Sequence, residues 1–282
     1  MIVITGATGQ LGRLVIAALL KKIPAANIVA AVRNPDKAKD LADLGVQVRY
    51  ADYSQPQSWD AALAGASKVL LISSSEIGQR FAQHRTVIDA AKRANVQLLA
   101  YTSVLHADTS PLGLAAEHLV TEQYLADSNL PFVLLRHGWY TENYTGSLAA
   151  SIAHGTLYGS AGDGKIASAS RADYAEADAT VLTTDNQAGK VYELAGDSAY
   201  TQTELAAEVS QQTGKTINYV NLPEQEYQAL LVNVGLPDVF ANLIADSDTG
   251  ASKGALYDNS KQLSQLIGRA TTPLAVTVAA AI

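Results

Sequence analysis

Residues 1–12 read MIVITGATGQLG, an apolar run that stops at Thr5 and gives way to Gly6, Gly9 and Gly12. A strand, a glycine-rich turn and a helix N-terminus in that order aim backbone N–H groups and the positive end of the helix dipole at one spot. Such a spot suits an anion, for instance a pyrophosphate. Glycine lets the chain turn tightly, approach the phosphates and seat the helix close on the strand. The spacing here is G-x-x-G-x-x-G, not the commoner G-x-G-x-x-G, and glycines alone also fit a merely tight turn. Context decides: the motif follows the first strand, opens a helix, and precedes a second strand that ends at Arg33, 21 residues after Gly12.

In folds built this way the end of the second strand meets the adenosine ribose. An acidic residue there accepts from a 2′-hydroxyl, whereas an arginine pairs with a 2′-phosphate. Arg33, followed by Asn34 and Pro35, therefore predicts NADP(H) in preference to NAD(H). Asp52 and Tyr53, at the end of the third strand, are candidates to close over the adenine, or else an ordinary strand end.

Further along, "NIVAAV", "VQVRYAD", "KVLLIS", "QLLAYTS" and "FVLLRH" alternate with helical stretches such as "QLGRLVIAALLKK" and "GQRFAQHRTVIDAAKRANV". Nearly continuous Val, Ile and Leu in strands that alternate with helices call for a parallel sheet covered on both faces. The expected fold class is α/β, a Rossmann-type doubly wound parallel sheet with a smaller, mostly helical C-terminal lobe. Its expected domains are 1–136 for the cofactor, with part of 166–195 returning to it, and 137–282 mainly on the substrate side. In that second half "GTLYGSAGDGKIASAS" reads as loose and "SRADYAEADATVL" as a restarted helix. "KVYELAG" reads as a strand. Helices are predicted at Thr201–Gly214 and near 223–234, 237–246 and 259–267, with a short strand around "TINYVNL". Asp246 and Asp248 lack the remaining ligands of a calcium loop and read as a polar helix end.

Composition removes whole classes of function. At 48% hydrophobic and 17% charged residues the chain is of ordinary globular type, and its apolar runs are too short to span a bilayer. No basic n-region and apolar h-region precede the glycine turn, so no secretion signal is read and a cytoplasmic location is expected. Without cysteine there are no disulfides, thiol nucleophiles or cysteine-held metals, so redox chemistry needs a borrowed cofactor. A net charge of −7 argues against nucleic acid as a partner. The histidines at 84, 106, 118, 137 and 154 show no metal-ligand spacing, and no G-x-S-x-G elbow is present.

At "GATGQLG", "VRNPDKA" and "ADYSQPQS" the chain resembles the NmrA-like, atypical branch of the short-chain dehydrogenase/reductases. The likeness continues through "LLISSSEIGQR", "AYTSVLHADTSPLGLAAEH", "LRHGWYTENY", "GDGKIASASRADYA", "KVYELAGDSAYT" and "DSDTGASKGALYDNS". Within that branch it is most similar to the bacterial NADPH:quinone oxidoreductases of type 2, and more distantly to triphenylmethane reductases. The resemblance implies NADPH binding and quinone reduction. Residue by residue, it implies that Gly6, Ala7, Thr8, Gly9, Gln10, Leu11 and Gly12 cradle the pyrophosphate and that Arg33 takes the 2′-phosphate. Ser73, Ser74 and Ser75 would lie beside the ribose and diphosphate. Gly138, Trp139, Tyr140, Thr141, Glu142 and Asn143 would line the nicotinamide and the quinone, where ligands of doubly wound sheets bind. Trp139 and Tyr140 are equally readable as packing aromatics.

One departure bears on mechanism. The Tyr-x-x-x-Lys pair of most short-chain dehydrogenases is missing: Leu105 stands four residues after Tyr101, and His118 stands where relatives often carry lysine. His118 is either a helix-surface residue or a catalytic one. Without the pair, oxidoreduction of alcohols or simple ketones is disfavoured. A quinone is less demanding, because hydride addition yields a stabilised phenolate that water can protonate. Asn143 and His106 are then the candidate catalytic residues, Asn143 on the quinone oxygen or the carboxamide and His106 on the pocket wall. The alternative, which the missing pair also permits, is a non-catalytic NADP(H)-sensing regulator. A homodimer is a further expectation.

Overall fold

The computed structural model describes residues 1–282. Its elements begin β1 (Ile2–Ile4), α1 (Gln10–Leu20), β2 (Ile28–Val32), α2 (Lys39–Asp43), β3 (Gln47–Tyr50), α3 (Pro56–Ala62), β4 (Lys68–Leu71), α4 (Arg80–Arg93), β5 (Leu98–Val104), α5 (Ala115–Asp127) and β6 (Phe132–His137). They continue with α6 (Glu142–Thr145), α7 (Leu148–His154), β7 (Thr156–Gly159), α8 (Arg171–Thr183), β8 (Val191–Leu194), α9 (Gln202–Thr213), β9 (Asn218–Asn221), α10 (Glu224–Asn233), α11 (Asp238–Ser252), α12 (Gln262–Ile267) and α13 (Leu274–Ala279). No helix is long and apolar enough to cross a membrane.

The chain forms two compact units. One comprises Met1–Ala107, Glu117–His137 and Arg171–Tyr192; the other comprises Asp108–Ala116, Gly138–Ser170 and Glu193–Ile282.

A seven-stranded sheet runs in the order β3-β2-β1-β4-β5-β6-β8, and every neighbour from β3 to β6 is parallel. The Rossmann-type fold expected from the alternating pattern is therefore present. Its inner strands show no inward-outward alternation because both faces are covered: every residue of β2 and of β5 is buried. Leu11, Val15, Ile16 and Leu19 fall on one stripe of α1 and are buried. Each of the larger ones contributes roughly 1.5–3 kcal/mol through burial. That helix packs on α8, whose Ala175, Ala177 and Ala179 are all buried. The strand order reverses between β1 and β4, and ligands of such sheets bind beyond the strand C-termini at that point. Gly6 follows β1 there and Ser73 follows β4.

The second unit is mostly helical, with one small parallel sheet of β7 and β9. The loose-looking stretch after Gly155 thus contains a strand: Leu157 points inward, Tyr158 outward, and β9 supplies the backbone partners. Helix α9 starts on a capping box, Thr201 with Glu204, and ends on Gly214 in the left-handed region. Helix α11 runs to Ser252, so Asp246 and Asp248 are not a polar helix end; Asp248 is 2% exposed inside the helix.

Candidate functional site

In the first unit the glycine turn is built as its spacing requires. Thr5 closes β1 with its N–H on Leu70 O at 3.0 Å. Gly6 takes φ +57°, and Gly9 N–H donates to Gly6 O at 2.9 Å. A side chain at Gly12 would put its Cβ 2.6 Å from Gly6 O and 2.8 Å from Ala7 Cα, both backbone atoms, so only glycine fits. As N-cap, Gly9 has no side chain to occupy the first N–H groups of α1. Gly6, Gly9 and Gln10 are exposed and Thr8 is half-buried, whereas Ala7 and Leu11 are buried and offer only their backbones. The N-terminus of an 11-residue helix, capped by a residue without a side chain, fits a dinucleotide's phosphates.

The serine loop beyond β4 is fastened by its backbone. Ser73 N–H donates to Thr102 Oγ1 at 2.9 Å, and Ser74 N–H donates to His84 Nε2 at 2.9 Å. Arg80 Nε donates to Ser74 O at 2.7 Å, and the Ser74 hydroxyl bonds Gln83. All three polar groups of Ser74 therefore face α4, and its side chain is a fastening; Ser75 is exposed and Ser73 half-buried.

Behind this loop lies a polar interior that the sequence did not disclose. Thr121 Oγ1 donates to Glu117 O at 3.0 Å, so it accepts from His84 Nδ1, also at 3.0 Å. His84 thus carries its proton on Nδ1 and accepts from Ser74 on Nε2, the neutral tautomer. Burial, with the Arg80 charge beside it, pushes its pKa down to about 3. His118 is not on the helix surface: it is 4% exposed and shares a 2.7 Å hydrogen bond with the hydroxyl of the fully buried Tyr101. Burial first, then the Arg80 charge, holds His118 neutral, and burial makes Tyr101 a much weaker acid. Nearby, Glu122 takes Arg136 in two bonds of 3.0 and 2.6 Å and the Ser103 hydroxyl at 2.5 Å, all buried. Asp178 of α8 holds His137 at 2.8 Å.

Around the end of β2, Arg13 reaches from α1 to Asp40 and to Lys37 O at 2.7 Å, fixing the segment that follows Arg33. Arg33 itself is exposed and lies 3.5 Å from the carboxylate of Glu76. Tyr53 does not present its hydroxyl outward; it donates to Thr5 Oγ1 at 2.9 Å, beneath the glycine turn, and burial raises its pKa to about 12. Asp52 is closed on Ser54 N–H and hydroxyl at 2.9 and 2.7 Å. His106 follows β5 in the left-handed region at φ +52°, a conformation that costs a non-glycine residue about 1 kcal/mol.

The remaining candidates, Gly138 to Asn143, belong to the second unit. Gly138 N–H donates to Leu194 O at 2.7 Å, and Thr141 N–H to Ala169 O at 2.9 Å. Thr141 is buried with its hydroxyl 2.8 Å from Ser168 Oγ, which in turn lies 2.7 Å from the Tyr200 hydroxyl, so this side chain secures the loop. Trp139, Tyr140 and Glu142 are half-buried, and the Asn143 amide is exposed at the start of α6. One residue on, the buried Tyr144 hydroxyl donates to Asp248 Oδ1 at 3.1 Å, and Ser160 N–H donates to Asp248 Oδ2 at 3.0 Å. The loop that ends at Tyr144 is thereby pinned to α11. No spacing in the sequence links positions 144, 160 and 248.

Residues 6–185 match the family described as NAD(P)H-binding. The chain is 60% identical to quinone oxidoreductase 2 of Escherichia coli over 99% of its own length and 97% of that protein's. It superposes with a TM-score of 0.97 on the NADPH-dependent quinone oxidoreductase of E. coli solved with NADPH, covering 99% of each chain. The triphenylmethane reductase of Citrobacter sp. solved with NADP(H) gives a TM-score of 0.96 at 42% identity, covering 100% of each.

Proposed function

Because the chain belongs to the NAD(P)H-binding, NmrA-like family, we propose that it is an NADPH-dependent oxidoreductase that reduces quinones by direct hydride transfer, without flavin or metal. The observation that carries the cofactor is the glycine cradle at the point where the strand order reverses, with Gly12 barred from any side chain and Arg33 at the end of the next strand. The substrate class comes from the likeness to the E. coli quinone oxidoreductase.

In this reading the turn from Gly6 to Gly12 holds the pyrophosphate and Arg33 the 2′-phosphate, while Ser73 and Ser75 serve the ribose side and Ser74 anchors their loop. The bound nicotinamide supplies the hydride. Gly138 to Asn143 orient nicotinamide and quinone, and their backbone is held by Leu194 and Ala169 so that little ordering remains on binding. The exposed Asn143 amide donates to the quinone oxygen, and His106 forms pocket wall. Tyr101 is no proton donor to substrate: it is sealed against His118, and burial makes it a weaker acid, the reverse of what that role needs. Water protonates the phenolate. The first unit is thus the cofactor part and the second the substrate part, and a cytoplasmic homodimer that uses no nucleic acid completes the proposal.

The test follows NADPH absorbance with purified protein and a small para-quinone, beside NADH and protein-free controls. Protein-dependent, quinone-dependent loss of NADPH, slower with NADH, is expected. Tight NADPH binding with no turnover over several quinones would replace the reductase by a cofactor-sensing regulator.

A further inference from the structure

Arg33, the residue assigned to the 2′-phosphate, is not waiting for it alone. Its Nη1 lies 3.5 Å from Glu76 Oε1. Glu76 is presented by a loop fastened on both sides of it. Ser74 is held by His84 and Arg80, at 2.9 and 2.7 Å, and Gly78 N–H donates to Glu117 Oε1 at 3.0 Å. Glu76 N–H donates to Ser74 Oγ at 3.1 Å, and its second carboxylate oxygen accepts from Gln83 Nε2 at 2.6 Å. Gly78 takes φ +81°, the turn that brings the loop round. Two anchors, each two residues away, and one side-chain bond therefore aim this carboxylate. Asp52, two residues after β3, also feels the Arg33 charge, weakly beside its own bonds to Ser54.

We propose that Glu76 is a specificity-determining residue for the cofactor: its carboxylate holds Arg33 in the cofactor-free protein, and the 2′-phosphate has to displace it. The proposal rests on Arg33 being the phosphate anchor. Displacement is feasible because the ion pair is exposed, 74% at Arg33 and 52% at Glu76, and such pairs hold weakly. A phosphate carries more charge and offers the guanidinium two acceptors at once. NADH has nothing to exchange for the carboxylate and leaves the pair standing. Glu76 thus lowers NADPH affinity below what Arg33 alone would give and leaves NADH affinity where it is.

The experiment measures dissociation constants for NADPH and NADH by calorimetry, without turnover. It uses the full chain as wild type, Glu76→Gln, Arg33→Ala and the double variant. Glutamine keeps the shape of Glu76 and a partner for Gln83. The expected result is that Glu76→Gln tightens NADPH about two- to fivefold at low salt and leaves NADH unchanged. The gain should shrink in about 0.5 M salt and largely vanish in the Arg33→Ala background. Unchanged NADH affinity also shows that the variant is folded. If Arg33→Ala abolishes the NADPH preference while Glu76→Gln changes nothing or weakens NADPH, the Glu76 assignment is overturned and the Arg33 reading stands. If Arg33→Ala leaves the NADPH to NADH ratio as it was, the anchor reading fails and takes this inference with it.

Discussion

Asp248 offers the sharpest physical test of the second unit. Its carboxyl is buried in α11, with Tyr144 donating at 3.1 Å and Ser160 N–H at 3.0 Å. The other titratable groups that act on it, Tyr200 before α9, Tyr219 on β9 and Tyr227 on α10, are phenols and supply no cation. Burial raises its pKa from 3.8 to about 6, and the two donors only partly oppose this. The folded chain therefore binds this proton more tightly than the unfolded chain does. The contribution of this group to stability is greatest below the unfolded value of 3.8, falls as pH rises through this window, and above about pH 7 stays lower by about 3 kcal/mol. Asp248→Asn cannot titrate but still offers a carbonyl oxygen to Ser160 N–H. Urea unfolding of both proteins from pH 4 to pH 8 should show the variant gaining on wild type by about 2–3 kcal/mol across the range, even if it starts lower because the Tyr144 bond is remade less well. Two parallel stability profiles would refute a carboxyl held protonated by burial.

Two further substitutions probe the other unit. Gly12→Ala drives a Cβ to 2.6 Å from Gly6 O; because both contacts are backbone, α1 must shift, and we expect about 1–3 kcal/mol of destabilisation together with loss of NADPH binding. Normal NADPH affinity in calorimetry would show that the turn is not the cradle. Glu122→Ala removes the buried carboxylate that meets Arg136 in two bonds and the Ser103 hydroxyl in a third. It should lower unfolding stability by about 3–5 kcal/mol, and a thermal midpoint close to wild type would show that water reaches this pair.

What could be read from the sequence and what could not divide along a physical line. Gly6 and Gly12 were legible because each answers a local demand of the backbone, a positive φ at one and a missing Cβ at the other, and local demands leave marks at fixed spacing. The position of Arg33 just after β2 was legible because the apolar run before it marks the strand. His118 was open to two readings because its partner, Tyr101, lies on a different element and no spacing rule joins a strand residue to a helix residue across a core. The misreading of Asp248 is the instructive case. "DSDTG" has the composition of a helix end, since short polar side chains near a glycine usually compete with the helix for hydrogen bonds. In α11 they do not compete, because the partners come from elsewhere: Gly113 N–H takes Asp246 at 2.9 Å, and Tyr144 and Ser160 take Asp248. Gly250 lies inside the helix, where the side chain of Leu112 fills the space its Cβ would occupy. The polar run thus supplies the acceptors by which the helix anchors three separated segments of its own unit, and an acid used for that purpose resembles an acid at a helix end until the fold supplies its donors.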